Sequence, residues 1–356
     1  MGSIRRNCSK IRIFQRLQFP SVKITSVKIT FGEITFVRIT FLFLFFKIIF
    51  FLISCSTVLP ADKTVLVIGE LPDTAIIHWM PFAEGIDYCA GKLSNKRIEF
   101  HALRIDLSSP RIEIFAAGGG NGNREENSGG ISNAAAFFSI KTSSFVRDNG
   151  LLAGINALPF YPVSGREGEP RTNTGIVISE GRILSPPHPL YDALVFFAGG
   201  AAAIMPQSAI VPEISTGQKV FNAVGGFYAI LKNGEPEQRV LELDARHPRS
   251  AAGISPNGMT LYLLVIDGRQ LKSAGSTELE TALLLRALGA SDGINLDGGG
   301  SSALALRFPD GKVKVMNSPI HKRIPGKERA VAGCLGIRAV GSDQDTVPWV
   351  NLAPQF

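Results

Sequence analysis

Downstream of residue 97 the apolar positions fall mostly in short alternating runs, and in only two places do they recur at helical spacing. Ile98–Leu107 and Arg111–Ala116 alternate and are joined at Ser108-Ser109-Pro110, turn chemistry that predicts a β-hairpin. Leu151–Asn156 reads as a short buried strand ending in a polar residue. Thr174–Ser179, turned at Glu180-Gly181 into Arg182–Leu184, reads as another. Ala193–Phe197, Ala202–Met205, Ala223–Leu231, Gly293–Leu296, Ser302–Arg307, Val313–Met316 and Cys334–Ala339 continue the β pattern. Thr260–Ile266 is apolar through its LYLLVI stretch, which predicts a central strand covered on both faces. One helix is predicted over Ser132–Arg147, with Ala134, Ala135, Phe137, Phe138 and Phe145 as its apolar positions. A second opens at Gly275-Ser-Thr277, where Thr277 and Glu280 form a capping box; Leu279, Leu283, Leu284 and Leu288 share a face, and Gly289 ends it.

Many strands and few helices predict an α+β fold: a single domain with a mixed, mostly antiparallel β-sheet core flanked by a few helices. Residues 56–96 read as a lead-in with one strand at Thr64–Ile68, and 97–340 as the domain proper. Within it the glycine-rich Gly118–Gly130 reads as an exposed loop, and 341–356 follows as a surface tail.

Charge changes the picture at the N-terminus. Nine of the 37 Lys and Arg residues lie before Ser56 against one acid, Glu33, leaving 28 bases and 29 acids in the rest. The formal charge of +7 therefore belongs to a leader, residues 1–55, and nucleic acid is not an expected partner. Residues 21–40 repeat in fives (SVKIT, SVKIT, FGEIT, FVRIT), a pattern that suits translation of a short tandem DNA repeat upstream of the true start. Phe41–Ser54 is apolar apart from Lys47. A basic region, about 14 apolar residues and small residues before a cysteine predict an export signal, too short for a spanning helix. Leu52-Ile53-Ser54-Cys55 resembles a bacterial lipobox, which would make Cys55 the lipidation site of an exported periplasmic or cell-surface lipoprotein. A plain signal peptide or an uncleaved anchor are the alternatives. Beyond the leader only Cys89 and Cys334 remain, which excludes a zinc knuckle and leaves one disulfide or two buried thiols.

Candidate chemistry concentrates in Asn295-Leu296-Asp297-Gly298-Gly299-Gly300-Ser301-Ser302. Asn295 and Asp297 alternate on a strand and share a face. The glycines let the backbone turn tightly and approach a ligand, and Ser301 and Ser302 add hydroxyls. In Arg246-His247-Pro248-Arg249, two arginines flank a rigid dipeptide, an arrangement suited to bidentate phosphate or carboxylate binding. Asp267-Gly268-Arg269 puts charge at the rim of the most buried strand. Asn156, Asn317-Ser318-Pro319 and Glu328-Arg329 complete the polar set. Oxygen ligands at Asp297 would suit Ca²⁺, but the spacing is not an EF-hand loop, and no cofactor or metal is expected.

In this order the motifs resemble the phosphodiester glycosidase family over roughly residues 97–340. That family runs Asn-Gly-Gly-Phe-Phe, Arg-x-Pro-Arg-Thr-Ala-x-Gly, Asp-Gly-Arg, Asn-Leu-Asp-Gly-Gly-Gly-Ser-Ser, Asn-x-Pro and Glu-Arg. Arg246–Gly253, Asp267–Arg269, Asn295–Ser302, Asn317–Pro319 and Glu328-Arg329 match. The first motif departs: Asn156-Ala157-Leu158-Pro159-Phe160 lacks both glycines, and Ser250 replaces a threonine.

The resemblance implies an exported hydrolase acting on a carbohydrate phosphodiester, with an N-acetylglucosamine-type sugar, in cell-envelope or exopolysaccharide material. Cleavage at the anomeric carbon passes through an oxocarbenium-like state. A phosphate monoester leaves readily as an anion, so the site needs positive charge beside it and one carboxylate. Arg246, Arg249 and Arg269 fit the first role, and Arg329 is a further substrate-binding residue. Asp297, Asp267 and Glu328 are the carboxylates, Asp297 ranking first, and Asn156, Asn295, Asn317, Gly298, Gly299, Ser301 and Ser302 would bind substrate. The rivals are a catalytically silent glycan-binding lipoprotein on the same scaffold, and an esterase using Ser301 with His188, His247 or His321 brought in by the fold.

Overall fold

The strand Thr260–Ile266 shows how the layers form. Its odd positions, Leu261, Leu263 and Val265, join one core with Leu103 and Ile105; its even positions, Tyr262, Leu264 and Ile266, join another with Phe100 and Ala102. Both faces are covered, as the unbroken apolar run predicts. Each fully buried leucine contributes roughly 1.5–3 kcal/mol relative to exposure.

The computed structural model describes residues 63–67, 74–118, 137–163, 165–210 and 219–340. These all fall in one of the two compact units of the chain, Leu59–Phe356. The leader with Cys55, most of the glycine-rich loop and the tail lie outside the described residues.

An eight-stranded sheet runs Glu235–Pro236, Ala229–Lys232, Asp292–Asn295, Arg249–Ile254, Thr260–Ile266, Ile98–Asp106, Ile86–Leu93 and Met80–Ala83. A five-stranded sheet, Val313–Val315, Leu304–Arg307, Ala153–Asn156, Gly333–Ala339 and Ile112–Gly118, faces it. Leu152, Ile155, Leu304, Leu306, Leu335 and Ile337 of this second sheet share the core of the odd positions. The helix Glu278–Leu288 covers the other face of the large sheet through Ala282, Leu284, Leu285 and Leu288. The short helix Thr142–Asp148 covers the second sheet through Phe145 and Val146. A third sheet, Arg182–Ser185, Val177–Ser179, Val220–Gly225, Asp192–Phe197 and Ala202–Pro206, adds to the core through Val177, Leu194 and Val224. No helix among the described residues is long and apolar enough to cross a membrane.

Five expectations need correction. The sheet was expected to be mixed, yet every described pairing between strands is antiparallel. The runs on either side of Ser108–Pro110 form no hairpin. Ile98–Asp106 pairs with Ile86–Leu93 and Thr260–Ile266, whereas Ile112–Gly118 pairs with Gly333–Ala339 in the second sheet. The turn is real, but it carries the chain from one sheet to the other. Ala223–Leu231 is likewise two strands in two sheets, and the first predicted helix is confined to Thr142–Asp148, with Phe137–Phe138 extended. The stretch read as a lead-in supplies Met80–Ala83 and Ile86–Leu93 to the large sheet. Cys89 and Cys334 are both free and buried.

The second predicted helix forms as its end signals require. Thr277 Oγ1 accepts from the Glu280 amide at 3.1 Å, Glu280 Oε2 accepts from the Thr277 amide at 3.0 Å, and Gly289 closes the helix at φ 116°. Its start fixes one wall of the site.

Candidate active site

Residues 296–303 cross from the strand Asp292–Asn295 of the large sheet to Leu304–Arg307 of the second sheet. The crossing is fastened on both sides. The Leu296 amide donates to the Ser250 carbonyl at 2.9 Å, and the Asp297 amide to the Ala157 carbonyl at 2.9 Å. Asn156, fully buried, donates through Nδ2 to the Asp297 carbonyl, while its Oδ1 accepts from Ser250 Oγ at 2.7 Å and the Ala303 amide at 3.0 Å. One amide side chain thus binds both sheets to the loop.

The loop lines a cleft of about 330 Å³ with Phe227, His247, Pro248, Arg249, Arg269 and Arg329. The glycines serve different ends. Gly299 takes φ 63°, a left-handed conformation, and a Cβ on Gly300 would lie 2.5 Å from Arg329 Nη2. The missing side chain at Gly300 is the space the Arg329 guanidinium occupies.

Arg269 and Arg329 are the cleft's available cations. Neither has a carboxylate partner among the described residues; each is held by a histidine instead. Arg269 Nη2 donates to His247 Nδ1 at 3.2 Å, and Arg329 Nε to His321 Nδ1 at 3.2 Å. An arginine can only donate, so each imidazole accepts as the neutral ring. Burial and the neighbouring cations push both histidine pKa values down: Arg269 and Arg249 at His247, and Arg329, Lys322 and Lys327 at His321. Each guanidinium is therefore oriented by a neutral ring rather than by an ion pair, and Arg329 also feels the charge of Asp297. Arg329 Nη1 also donates to Ser301 Oγ at 3.1 Å.

Asp297 faces this positive charge. Burial raises its pKa from 3.8 to about 6, against the lowering effects of the Ser301 hydroxyl and Arg329. Asp297 Oδ2 and Asn295 Oδ1 are both buried without a hydrogen-bond partner. They lie two residues apart, Asn295 at the end of its strand and Asp297 just beyond it, and both residues line the cleft.

Of the residues expected from sequence, the cleft gathers Arg249, Arg269, Asn295, Asp297, Gly298, Gly299 and Arg329, with Ser301 directly behind. The others are placed in fastenings away from it. Asp267 accepts from Asn317 Nδ2 at 3.0 Å and the Ser318 amide at 2.9 Å, and burial raises its pKa. Asn317 also receives the Leu304 amide at 3.0 Å and donates to the Ser302 carbonyl at 3.1 Å. Glu328 accepts from the amide and hydroxyl of Ser143 at the start of the helix Thr142–Asp148. Arg246 donates to the Lys96 and Gly275 carbonyls and to Glu280. Ser302 is buried and does not line the cleft.

Arg249 lines the cleft, but its charge is met by Glu278 Oε1 at 3.0 Å. Glu278, 6% exposed, also accepts from Tyr228 Oη at 2.7 Å and from Asn295 Nδ2 at 3.4 Å. Sequence reasoning missed Glu278, Tyr228 and Phe227. An acid in a helix's first turn is ordinary capping chemistry, so nothing local marks Glu278 as part of a wall. Ala157 and Leu158, where the expected glycines are missing, are buried and do not line the cleft. Ser301 Oγ is engaged by Arg329 and Asp297 rather than by an imidazole, an arrangement unlike an esterase dyad. Among the described residues no cluster of three His, Cys, Asp or Glu side chains could hold a metal ion.

An antiparallel β scaffold with an arginine-lined, carboxylate-bearing cleft at the crossing between two sheets is the class that these features define. A family model described as phosphodiester glycosidase matches residues 149–338, and the chain belongs to that family. A prophage-derived uncharacterised protein of Bacillus subtilis, YomE, is 30% identical over 159 residues, 44% of this chain; the match spans 23% of that protein's length. The catalytic domain of zebrafish N-acetylglucosamine-1-phosphodiester α-N-acetylglucosaminidase, auto-inhibited by its pro-peptide, shares the fold at TM-score 0.50 and 18% identity. The likeness covers 78% of this chain and 87% of that one. A hypothetical protein from Synechocystis reaches TM-score 0.48 at 15% identity, over 75% of this chain and 64% of that one.

Proposed function

We propose that the cleft hydrolyses a glycosyl-1-phosphodiester at its anomeric carbon, releasing free sugar and a phosphate monoester. The observation that carries the reading is the pairing of two uncompensated guanidiniums, Arg269 and Arg329, with one carboxylate, Asp297, across a single cleft. Phosphate takes the arginine side. The sugar takes the side of Asn295 Oδ1 and Asp297 Oδ2, whose unpaired acceptors suit hydroxyl donors, and Phe227 supplies an apolar wall.

In this mechanism Asp297 takes a proton from water as the water oxygen bonds to the anomeric carbon. The bond from that carbon to the phosphate oxygen breaks, and its electron pair leaves with the phosphate. Arg269 and Arg329 stabilise the charge that grows there. A carboxyl with pKa about 6 is ionised at neutral pH yet basic enough to accept the proton. No second carboxylate is required, because the leaving group departs as an anion; Glu278 remains tied to Arg249. Asp297 as nucleophile, with retention of configuration, is the variant that product stereochemistry tests.

An N-acetylglucosamine-type sugar, and export by the leader to the cell envelope, belong to the same reading through the family resemblance and residues 1–55. The test is sugar release from an aryl α-N-acetylglucosamine-1-phosphate diester, beside Asp297→Asn. Turnover by wild type and a loss of at least about a thousandfold in the variant are expected. Near-normal turnover by Asp297→Asn would remove Asp297 from the chemistry. Failure of wild type across a panel of sugar phosphodiesters would favour the silent glycan-binding protein.

A further inference from the structure

Two loops flank the arginine side of the cleft, residues 269–273 and 321–327. Their tips are apolar: Leu271 is 94% exposed and Ile324 49%. Lys272, Lys322, Arg323 and Lys327 are exposed around them, and neither Gly268–Thr277 nor Ser318–Lys327 contains an acidic residue. The first loop is bonded to the segment that leads into the second, since Gln270 Nε2 donates to the Ser318 carbonyl at 2.7 Å and Ser318 Oγ to Gln270 Oε1 at 3.1 Å. Arg323 is near enough to Arg269 to help lower its pKa.

Leu271 is exposed by construction. Arg97 Nη2 donates to the carbonyls of Gln270 at 3.2 Å and Leu271 at 3.0 Å, and Arg269 and Ala274 close the loop at 3.2 Å. The second loop closes through the His321 amide and Lys327 carbonyl at 2.9 Å. Arg97, Arg269, Lys322 and Arg323 all hold positive φ, between 52° and 61°, which a side-chain-bearing residue keeps only where its surroundings enforce it. A rigidly held, fully exposed leucine amid cations has the chemistry of an interfacial anchor, with apolar tips below the headgroups and cations among anionic phosphates.

We infer that this rim docks on an anionic lipid surface, and that the substrate of the adjoining cleft is a glycosyl-1-phosphodiester whose second alcohol is a lipid. The substrate half of this inference rests on the proposed hydrolase; the docking half does not. Cations alone would suit a soluble acidic polymer equally, and the apolar tips decide for lipid. Docking there brings the phosphate of a membrane-borne diester to Arg269 and Arg329 without lifting its lipid from the bilayer.

The test uses the full chain carrying Leu271→Trp, with phosphatidylglycerol/phosphatidylcholine vesicles and with phosphatidylcholine alone. A blue shift of the introduced indole on the anionic vesicles, quenched by brominated lipid, is expected; it is read as the difference from wild type, because Trp79 and Trp349 also fluoresce. Lys272→Gln with Lys327→Gln should weaken partitioning about 25-fold, a factor of roughly 5 per cation. Leu271→Asp with Ile324→Asp should lower turnover of a vesicle-borne lipid diester about tenfold or more while leaving a short soluble diester unaffected. Turnover of the soluble diester with no indole shift overturns the docking inference. Polyphosphate binding that depends on the lysines, with no indole shift, overturns it in favour of an acidic polymer. If neither diester is cleaved but the indole still inserts, the docking stands and the hydrolase reading with its lipid substrate falls.

Discussion

Gly300→Ala separates the chemistry of the cleft from the stability of the fold. The methyl would lie 2.5 Å from Arg329 Nη2, and ordinary contact begins at 3.4 Å, so the guanidinium must retreat by about 0.9 Å. It has room to do so as the far end of a flexible side chain, but it then loses its aim at the phosphate. A misplacement of about 1 Å at a transition-state contact costs on the order of a hundredfold, about 2.7 kcal/mol. The backbone at Gly300 is not left-handed, so alanine adds no strain there. The expected result is kcat/KM for a soluble glycosyl phosphodiester down by about a hundredfold, with a thermal midpoint within a few degrees of wild type. Gly299→Ala, at φ 63°, should by contrast lose stability as well. Activity within twofold of wild type in Gly300→Ala would refute the placement of Arg329 against the transition state. A loss matched by a comparable drop in thermal midpoint would refute the separation itself.

The pH dependence follows from Asp297. With its pKa raised to about 6, the base form is lost as pH falls through 6, so kcat/KM should show an acid limb there. A limb near the ordinary carboxylate range, or none, would contradict the assignment. Because the folded pKa is raised, the neutral form is the better tolerated one; the contribution of Asp297 to stability is greatest below the ordinary value of 3.8 and is lost as pH rises through 6. Asp297→Asn should therefore raise the unfolding midpoint at pH 7 to 8 while removing turnover, with the gain disappearing in acid. Equal midpoints at neutral pH would sink that linkage. Asn156→Ala removes three buried hydrogen bonds and should cost about 2–4 kcal/mol in a denaturant titration; a cost below about 1 kcal/mol would show that the clamp is dispensable.

Local chemistry was readable where the chain acts on near neighbours. Thr277, Glu280 and Gly289 bound a helix by contacts within a few residues, and both Asn295 and Asp297 line the cleft although the strand ends at Asn295. The hairpin expectation failed because alternation marks a strand but says nothing about which sheet receives it. Ile98–Asp106 and Ile112–Gly118 look like partners in sequence and part at Pro110. The carboxylates show the same limit. Asp267, Asp297 and Glu328 sit in equally distinctive motifs, and only the fold reveals that Asn317 and Ser143 occupy the first and third. Glu278 was invisible for the converse reason, since its partners Arg249 and Tyr228 lie 29 and 50 positions away.

The clamp at Asn156 divides the molecule into parts that tolerate change differently. Anything that displaces Asp297 must also disturb Ser250 of the large sheet and Ala303 beside the second. The Asp297 carboxylate is thereby tied to the cooperative unfolding of both sheets and should have no low-energy opening of its own. The rim loops are held by a few bonds to each other and to Arg97. Descendants of such a chain can exchange the rim loops, while the Asp297 crossing stays where the two sheets are stitched together.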